Sequence, residues 1–169
     1  KDVTAESRAG FHADIVFGET ARIQGFNASG GSGGNDDVSV MTAYVSWLAP
    51  LGDGLRFDVG EMWTLIGAEV VAAPDNFNIT RGLLFTLQPK NFTGVKLSAK
   101  YDSGLDWMLG LSNNSGYPTL GSNPYALFPN AQNYDTDEEQ AFLWRVGYQV
   151  SDTMSMALNG LYGGNCATE

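Results

Sequence analysis

The sequence is poor in most of what catalysis, metal binding or nucleic-acid binding needs. Its 169 residues hold one histidine and one cysteine. Cys166 has no partner for an internal disulfide, so it is either a lone thiol or pairs with a cysteine beyond Glu169. One His and one Cys supply too few ligands for a transition-metal site. Covalent haem attachment needs Cys-x-x-Cys-His, and the hydrolase elbow needs Gly-x-Ser-x-Gly; neither occurs. No cofactor, no metal and no enzymatic activity are expected. Basic residues are scarce, with 9 Lys and Arg against 19 Asp and Glu and a net charge of −10. That excludes nucleic acid as a partner, because phosphate neutralisation needs a basic face. The acidity otherwise implies only long-range repulsion of anions. No apolar run approaches the ~18–20 residues of a membrane helix, which excludes a helical membrane protein. Nothing at Lys1 reads as a signal peptide, so the chain is expected to start at a mature end or within a longer protein.

Glycine and aromatics are plentiful, at 21 residues and 12%. Charged residues make up 17%, against roughly 25% in a typical soluble domain. That mix suits many strands joined by turns, and period-two alternation confirms it. Phe11, Ala13, Ile15 and Phe17 alternate with His12, Asp14 and Val16. Met41, Ala43, Val45 and Trp47 alternate with Thr42, Tyr44 and Ser46, and Leu55, Phe57 and Val59 with Arg56, Asp58 and Gly60. Val95, Leu97, Ala99 and Tyr101 alternate with Lys96, Ser98 and Lys100. Leu105, Trp107, Leu109 and Leu111 alternate with Asp106, Met108, Gly110 and Ser112. Phe142, Trp144, Val146, Tyr148 and Val150 alternate with Leu143, Arg145, Gly147 and Gln149. Met154, Met156, Leu158 and Tyr162 alternate with Ser155, Ala157 and Asn159. Seven strands are predicted.

Hairpin register follows from matching faces. A turn at 102–104 sets Tyr101 opposite Leu105, Lys100 opposite Asp106 and Ala99 opposite Trp107. A turn at 151–153 pairs Val150 with Met154, Tyr148 with Met156 and Val146 with Leu158. A turn at 50–52 pairs Trp47 with Leu55 and Val45 with Phe57. The other connections are long: 19–38, 64–92 and 113–140. Short turns at one end and long loops at the other is the pattern of an outer-membrane barrel. For the short turns to share one end, 64–92 must hold no barrel strand or two. None is favoured, which makes 64–92 one long excursion folded partly into the lumen.

The expected fold is therefore all-β: an antiparallel, up-and-down transmembrane β-barrel. Residues 1–169 would form a single barrel segment, about seven strands of a larger barrel. Trp47, Tyr101, Trp107, Trp144, Tyr148 and Tyr162 lie on the apolar face, as an aromatic girdle would. A soluble β-sandwich would show the same alternation, with the polar face outward, so alternation alone leaves both open.

Two segments carry a family resemblance. One is Gly10-Phe11-His12-Ala13-Asp14-Ile15-Val16-Phe17-Gly18 with the following Glu19-Thr20-Ala21. The other runs from Leu55 to Tyr101 and includes Gly60, Ile66, Gly67, Glu69, Val70, Ala73, Pro74, Asp75, Asn76, Arg81, Phe85, Pro89, Thr93, Gly94 and Val95. The chain resembles the OmpL-like β-barrel porin family of Gram-negative bacteria. Phe92 stands where the family commonly has a histidine before Thr-Gly-Val. Family members are roughly twice this length. The odd strand count agrees, since a barrel closed from one bacterial chain has an even number. The chain is thus expected to be an incomplete part of a longer barrel, or to close with other porin copies or envelope proteins.

The resemblance implies a porin in the bacterial outer membrane, in contact with lipid and lipopolysaccharide, passing small polar solutes or ions by passive diffusion. The pore-lining charges would be His12, Asp14, Arg56, Asp58, Lys96, Lys100, Asp106 and Arg145. They set either a transverse field across the pore or a salt-bridged wall with little selectivity. Glu69, Asp75 and Arg81 are the constriction candidates, on a segment that also carries the buried-looking Val70, Val71, Leu83, Leu84 and Phe85. That segment could instead pack over the outer mouth. The acidic loops at Asp36 and Asp37, and at Asp135, Asp137, Glu138 and Glu139, lack the spacing of a calcium-binding EF-hand. His12 beside Asp14 has no serine placed to become a nucleophile. Two alternatives stand beside the porin: a non-conducting structural barrel, and a soluble carbohydrate-binding sandwich.

Overall fold

In a computed structural model of the chain, residues 3–18, 38–70, 73–80, 82–83, 85, 91–113 and 140–163 are described. They contain the seven strands predicted: β1 (Ala9–Phe17), β2 (Val38–Ala49), β3 (Leu55–Trp63), β4 (Asn91–Lys100), β5 (Leu105–Ser112), β6 (Ala141–Ser151) and β7 (Met154–Tyr162). All seven lie in one sheet in chain order, and every neighbouring pair is antiparallel. β1 and β7 form its two edges, so the sheet is not closed. β3 pairs directly with β4, so no strand from the intervening segment enters the sheet between them. Among the described residues that segment contributes a short 3-10 turn, Ala73–Asp75, and helical backbone at Leu83 and Phe85.

The hairpin registers test the sequence reading pair by pair. Around 102–104, Lys100 pairs with Asp106 and Ala99 with Trp107. The Tyr101 N–H donates to the Leu105 carbonyl at 2.8 Å, and Gly104 has the positive φ (87°) that such a turn demands. At the last hairpin, Tyr148 pairs with Met156 and Val146 with Leu158, as predicted. Ser151 rather than Val150 pairs with Met154, with the register shifting between Gln149 and Ser151. Val150 is taken up in that bulge, and the turn shrinks to Asp152 and Thr153. The first hairpin differs by two residues. Ala49 pairs with Leu55, Trp47 with Phe57 and Val45 with Val59, so the connection is 50–54. β2 ends at Ala49, which is 2% exposed, and β3 begins only at Leu55. An even shift leaves every side chain on its predicted face.

One departure does move a side chain. The β1–β2 register shifts after Asp14, so that Ile15 pairs with Val40 and Met41 is skipped. Met41 is buried, while Val40 takes an exposed position beside Ile15.

The register unites the inward positions of all strands on one polar face and the apolar positions on the other. Burial then separates the two. Val45 is 59% exposed, Leu158 68% and Phe11 68%, whereas Thr42 and Asp58 are fully buried and Ser46 and Ser112 nearly so. A soluble sandwich would bury the apolar face against a second sheet. Here the sheet's apolar face has no second layer among the described residues, and the polar side of the central strands is the enclosed one, while polar-face positions on β1, β7 and near the short turns stay open. Aromatics mark both ends of the apolar face. Trp47 packs on Phe57 at 5.5 Å, and the Trp107 indole donates to the Tyr101 hydroxyl at 3.3 Å, near the short turns. Phe17, Phe142 and Tyr162 are exposed near the long connections. Phe142 and Tyr148 lie six residues apart on β6, about 20 Å at ~3.3 Å per residue.

Candidate functional site

The enclosed polar face carries its charges in pairs fixed by strand register. On β3, Arg56 and Asp58 are two residues apart and therefore on the same face. β2 brings Ser46 opposite Asp58 from one side, and β4 brings Lys96 opposite it from the other. The Asp58 carboxylate accepts from the Ser46 hydroxyl at 2.5 Å and from Arg56 Nε at 2.8 Å. Lys96 Nζ lies 3.1 Å from its second oxygen. Arg56 Nη2 also donates to Ser46 Oγ at 3.1 Å, which closes the group. A carboxylate this buried needs such partners, because a lone one would be strongly penalised.

Nearer the short turns, Arg145 of β6 reaches across to Asp106 of β5 in an ion pair. Asp106 lies opposite Gly147, and any side chain at 147 would collide with the carboxylate. Lys100 of β4 flanks Asp106 from the other side in register. Nearer the long connections, His12 Nε2 and the Thr42 hydroxyl both meet Asp14 Oδ2, each at 2.8 Å. The Thr42 hydroxyl donates to the carboxylate and not to the imidazole, so the trio lacks the nucleophile–base contact of a catalytic triad. His12 also stacks on Tyr44, with ring centres 5.1 Å apart, and Lys96 Nζ sits 5.8 Å from that ring. Tyr44 has room to do so because it faces Gly60, where a Cβ would strike the Ala43 carbonyl.

All eight predicted wall charges thus share the polar face. Asp58 gathers Arg56 and Lys96, Asp106 gathers Arg145 with Lys100 beside it, and Asp14 gathers His12. Among the described residues no three of His, Cys, Asp or Glu come together as a metal would require.

The candidates on the excursion are arranged differently. Both Glu69 oxygens accept from the Gly82 N–H at 3.0 Å. Asn76 makes a double bridge to Val70, accepting from its N–H at 2.8 Å and donating to its carbonyl at 2.7 Å. Glu69 and Asn76 therefore fold the segment onto itself. Asp75 is exposed at the end of the 3-10 turn, and Arg81 lies outside the described residues. Val70 and Leu83, which read as buried from sequence, are exposed; Val70 joins the tie to Asn76 through its backbone. Phe85 is buried as expected, while Val71 and Leu84 lie outside the described residues. So do Cys166 and the acidic loop positions Asp36, Asp37, Asp135, Asp137, Glu138 and Glu139.

Sequence reasoning missed an apolar cluster on this otherwise polar face. Met62, Leu65, Phe92 and Leu143 pack together, each under a tenth exposed, with Tyr44, Met108 and Leu161 against them. Leu65 belongs to the excursion, so the segment starts by folding onto the enclosed face. The available signal was Phe92 itself, an aromatic at an inward position where the resembled family carries histidine.

A family model described as "Putative beta-barrel porin-2, OmpL-like" matches residues 3–167, nearly the whole chain. No curated protein and no solved structure matches it.

Proposed function

The chain belongs to the OmpL-like β-barrel porin family, and from that premise we propose that it forms part of the wall of a bacterial outer-membrane pore for passive diffusion of small polar solutes or ions. One observation carries the proposal: the sheet's burial is inverted, with the polar side of its central strands enclosed around the Asp58 group and an exposed apolar face bounded by aromatics. Such a sheet is at ease only with lipid outside and water inside. Lipid and lipopolysaccharide would contact the apolar face, and the eight wall charges would line the pore. The excursion, which ends at 90 and not 92 because Asn91 and Phe92 pair with Trp63 and Met62 in β4, would enter the lumen, a reading supported by the packing of Leu65 against Met62, Phe92 and Leu143. In lipid, the open backbone edges of β1 and β7 would each leave groups that cost several kcal/mol apiece. Further strands, from a longer chain or from other copies, would complete the barrel.

The test is reconstitution of the full-length protein. Heat-modifiable gel migration is expected from a folded barrel, and stepwise conductance in a planar bilayer from a pore. Correct insertion without conductance would replace the porin with a structural barrel. Folding into a soluble, detergent-independent monomer would remove the membrane reading altogether.

A further inference from the structure

We propose that the polar face presents a band of net positive potential, so that the pore prefers small anions although the chain as a whole is strongly acidic. The inference rests on the porin reading above and specifies its solute class. Every Lys and Arg in the described strands, Arg56, Lys96, Lys100 and Arg145, is on the polar face. Each of the two carboxylates among them is flanked by two cations. Asp58 is held between Arg56 and Lys96. Asp106 pairs with Arg145 and has Lys100 opposite it on β4. Each group is therefore a two-to-one cluster with one positive charge in excess.

Exposure strengthens the sign. The Asp58 side chain is 0% exposed, while Arg56 is 30% and Lys96 16% exposed. A solute passing the wall meets the cations, and the carboxylate that anchors them is hidden behind them. Partly buried charges beside a low-dielectric wall act more strongly than charges in bulk water. The band is extended along the axis: Lys96 and Lys100 are four residues apart on β4, about 13 Å at ~3.3 Å per residue.

The opposing charges lie elsewhere. Asp53, Asp102 and Asp152 are exposed in the three short turns, at the rim. There they are screened by salt over about 8 Å at physiological ionic strength. Asp14 lies towards the long connections and is engaged by His12 and Thr42. Glu61 faces the apolar side of β3, away from the band. On the excursion, Glu69 is engaged by the Gly82 N–H and Asp75 is exposed on the 3-10 turn, both outside the strands that carry the band. Among the described residues the polar side of β3 to β6 therefore holds four cations against two carboxylates, and the other carboxylates lie on the turns, on the excursion, on or before β1, or on the outer side of β3.

Reversal potentials of the full-length protein in a planar bilayer under a KCl gradient test this. Chloride preference is expected. Lys100→Glu, at an exposed position with no ion pair among the described residues, should shift the permeability ratio towards potassium by roughly two- to threefold. Lys96→Gln should shift it in the same direction, while Asp53→Asn and Asp102→Asn at the rim should leave it nearly unchanged. Heat-modifiable migration identifies variants that fold, and Lys100→Glu alone suffices if Lys96→Gln does not. A conducting pore that prefers potassium, or one indifferent to Lys100→Glu, would overturn the inference and leave the porin standing. Absence of conductance from a correctly inserted protein would instead overturn the porin reading itself.

Discussion

The two faces of this one sheet follow opposite rules. On the apolar face, valines, leucines and aromatics stand in register, as in the row Phe11, Val45, Val59, Val95 and Leu111, and are largely exposed. Specific ties there include Trp47 on Phe57 and the Trp107 indole on the Tyr101 hydroxyl, neither of which holds a charge. On the polar face, Ser46 and Arg56 hydrogen-bond to one oxygen of Asp58 at 2.5 and 2.8 Å, and Lys96 stands as an ion-pair partner 3.1 Å from the other. The difference teaches where each face is vulnerable. The apolar face tolerates any exchange that keeps it apolar, whereas the polar face tolerates few exchanges that leave a charge without its partner.

The sharpest way to break that comparison is at Asp58. Asp58→Ala leaves Arg56 and Lys96 facing each other with no anion between them. Stability should fall by about 3–5 kcal/mol, as for other broken buried charge groups. The measurement is the urea midpoint of the protein folded in lipid vesicles. Asp58→Asn keeps an acceptor for Ser46 and Arg56, and should lose less. A loss below ~1 kcal/mol for the alanine variant would mean that water reaches the group freely.

A charge moved between faces gives the next largest effect. Val59 lies mid-strand on β3, facing out. Val59→Arg should cost about 2–4 kcal/mol if that face meets lipid near the bilayer midplane. Ala157→Arg puts the same side chain on the polar face of β7, opposite Gly147 and near Asp106, and should stay within about 1 kcal/mol of the parent. Equal tolerance at both sites would mean that the apolar face is in water.

How much of this was legible in the sequence follows the same division. Period-two alternation fixes which residues share a face, so all seven strands, and the common face of His12, Asp14, Arg56, Asp58, Lys96, Lys100, Asp106 and Arg145, were legible before any coordinates. It does not say which face is enclosed, since a sandwich and a barrel alternate alike. Register is legible only modulo two. The first hairpin slipped from 50–52 to 50–54 because matching apolar to apolar is satisfied equally by Trp47 opposite Leu55 and by Trp47 opposite Phe57. The partners of Asp58 come from three strands, and only a correct β3–β4 pairing across 64–90 reveals Lys96. Met62, Leu65 and Phe92 were missed because an apolar patch on a polar face breaks the very pattern used to find faces.

The smallest effect tests whether the excursion is a separate unit from the wall. Asn76 exchanges two hydrogen bonds with the Val70 backbone at 2.7–2.8 Å, in an exposed setting. Asn76→Ala should therefore cost about 1–2 kcal/mol, and only locally. The urea midpoint of the whole protein should hardly move, while limited proteolysis within 69–82 should accelerate severalfold. If the segment narrows the pore, the same variant should also raise conductance or its noise. Leu65 would still hold the segment's root to Met62, Phe92 and Leu143, so the change would be confined to the loop beyond it. A drop in global stability approaching that of Asp58→Ala would mean that the polar ties of 69–82 belong to the barrel's own framework. In that case the family motif running from Ile66 to Asn76 would be a structural brace of the wall instead of a gate.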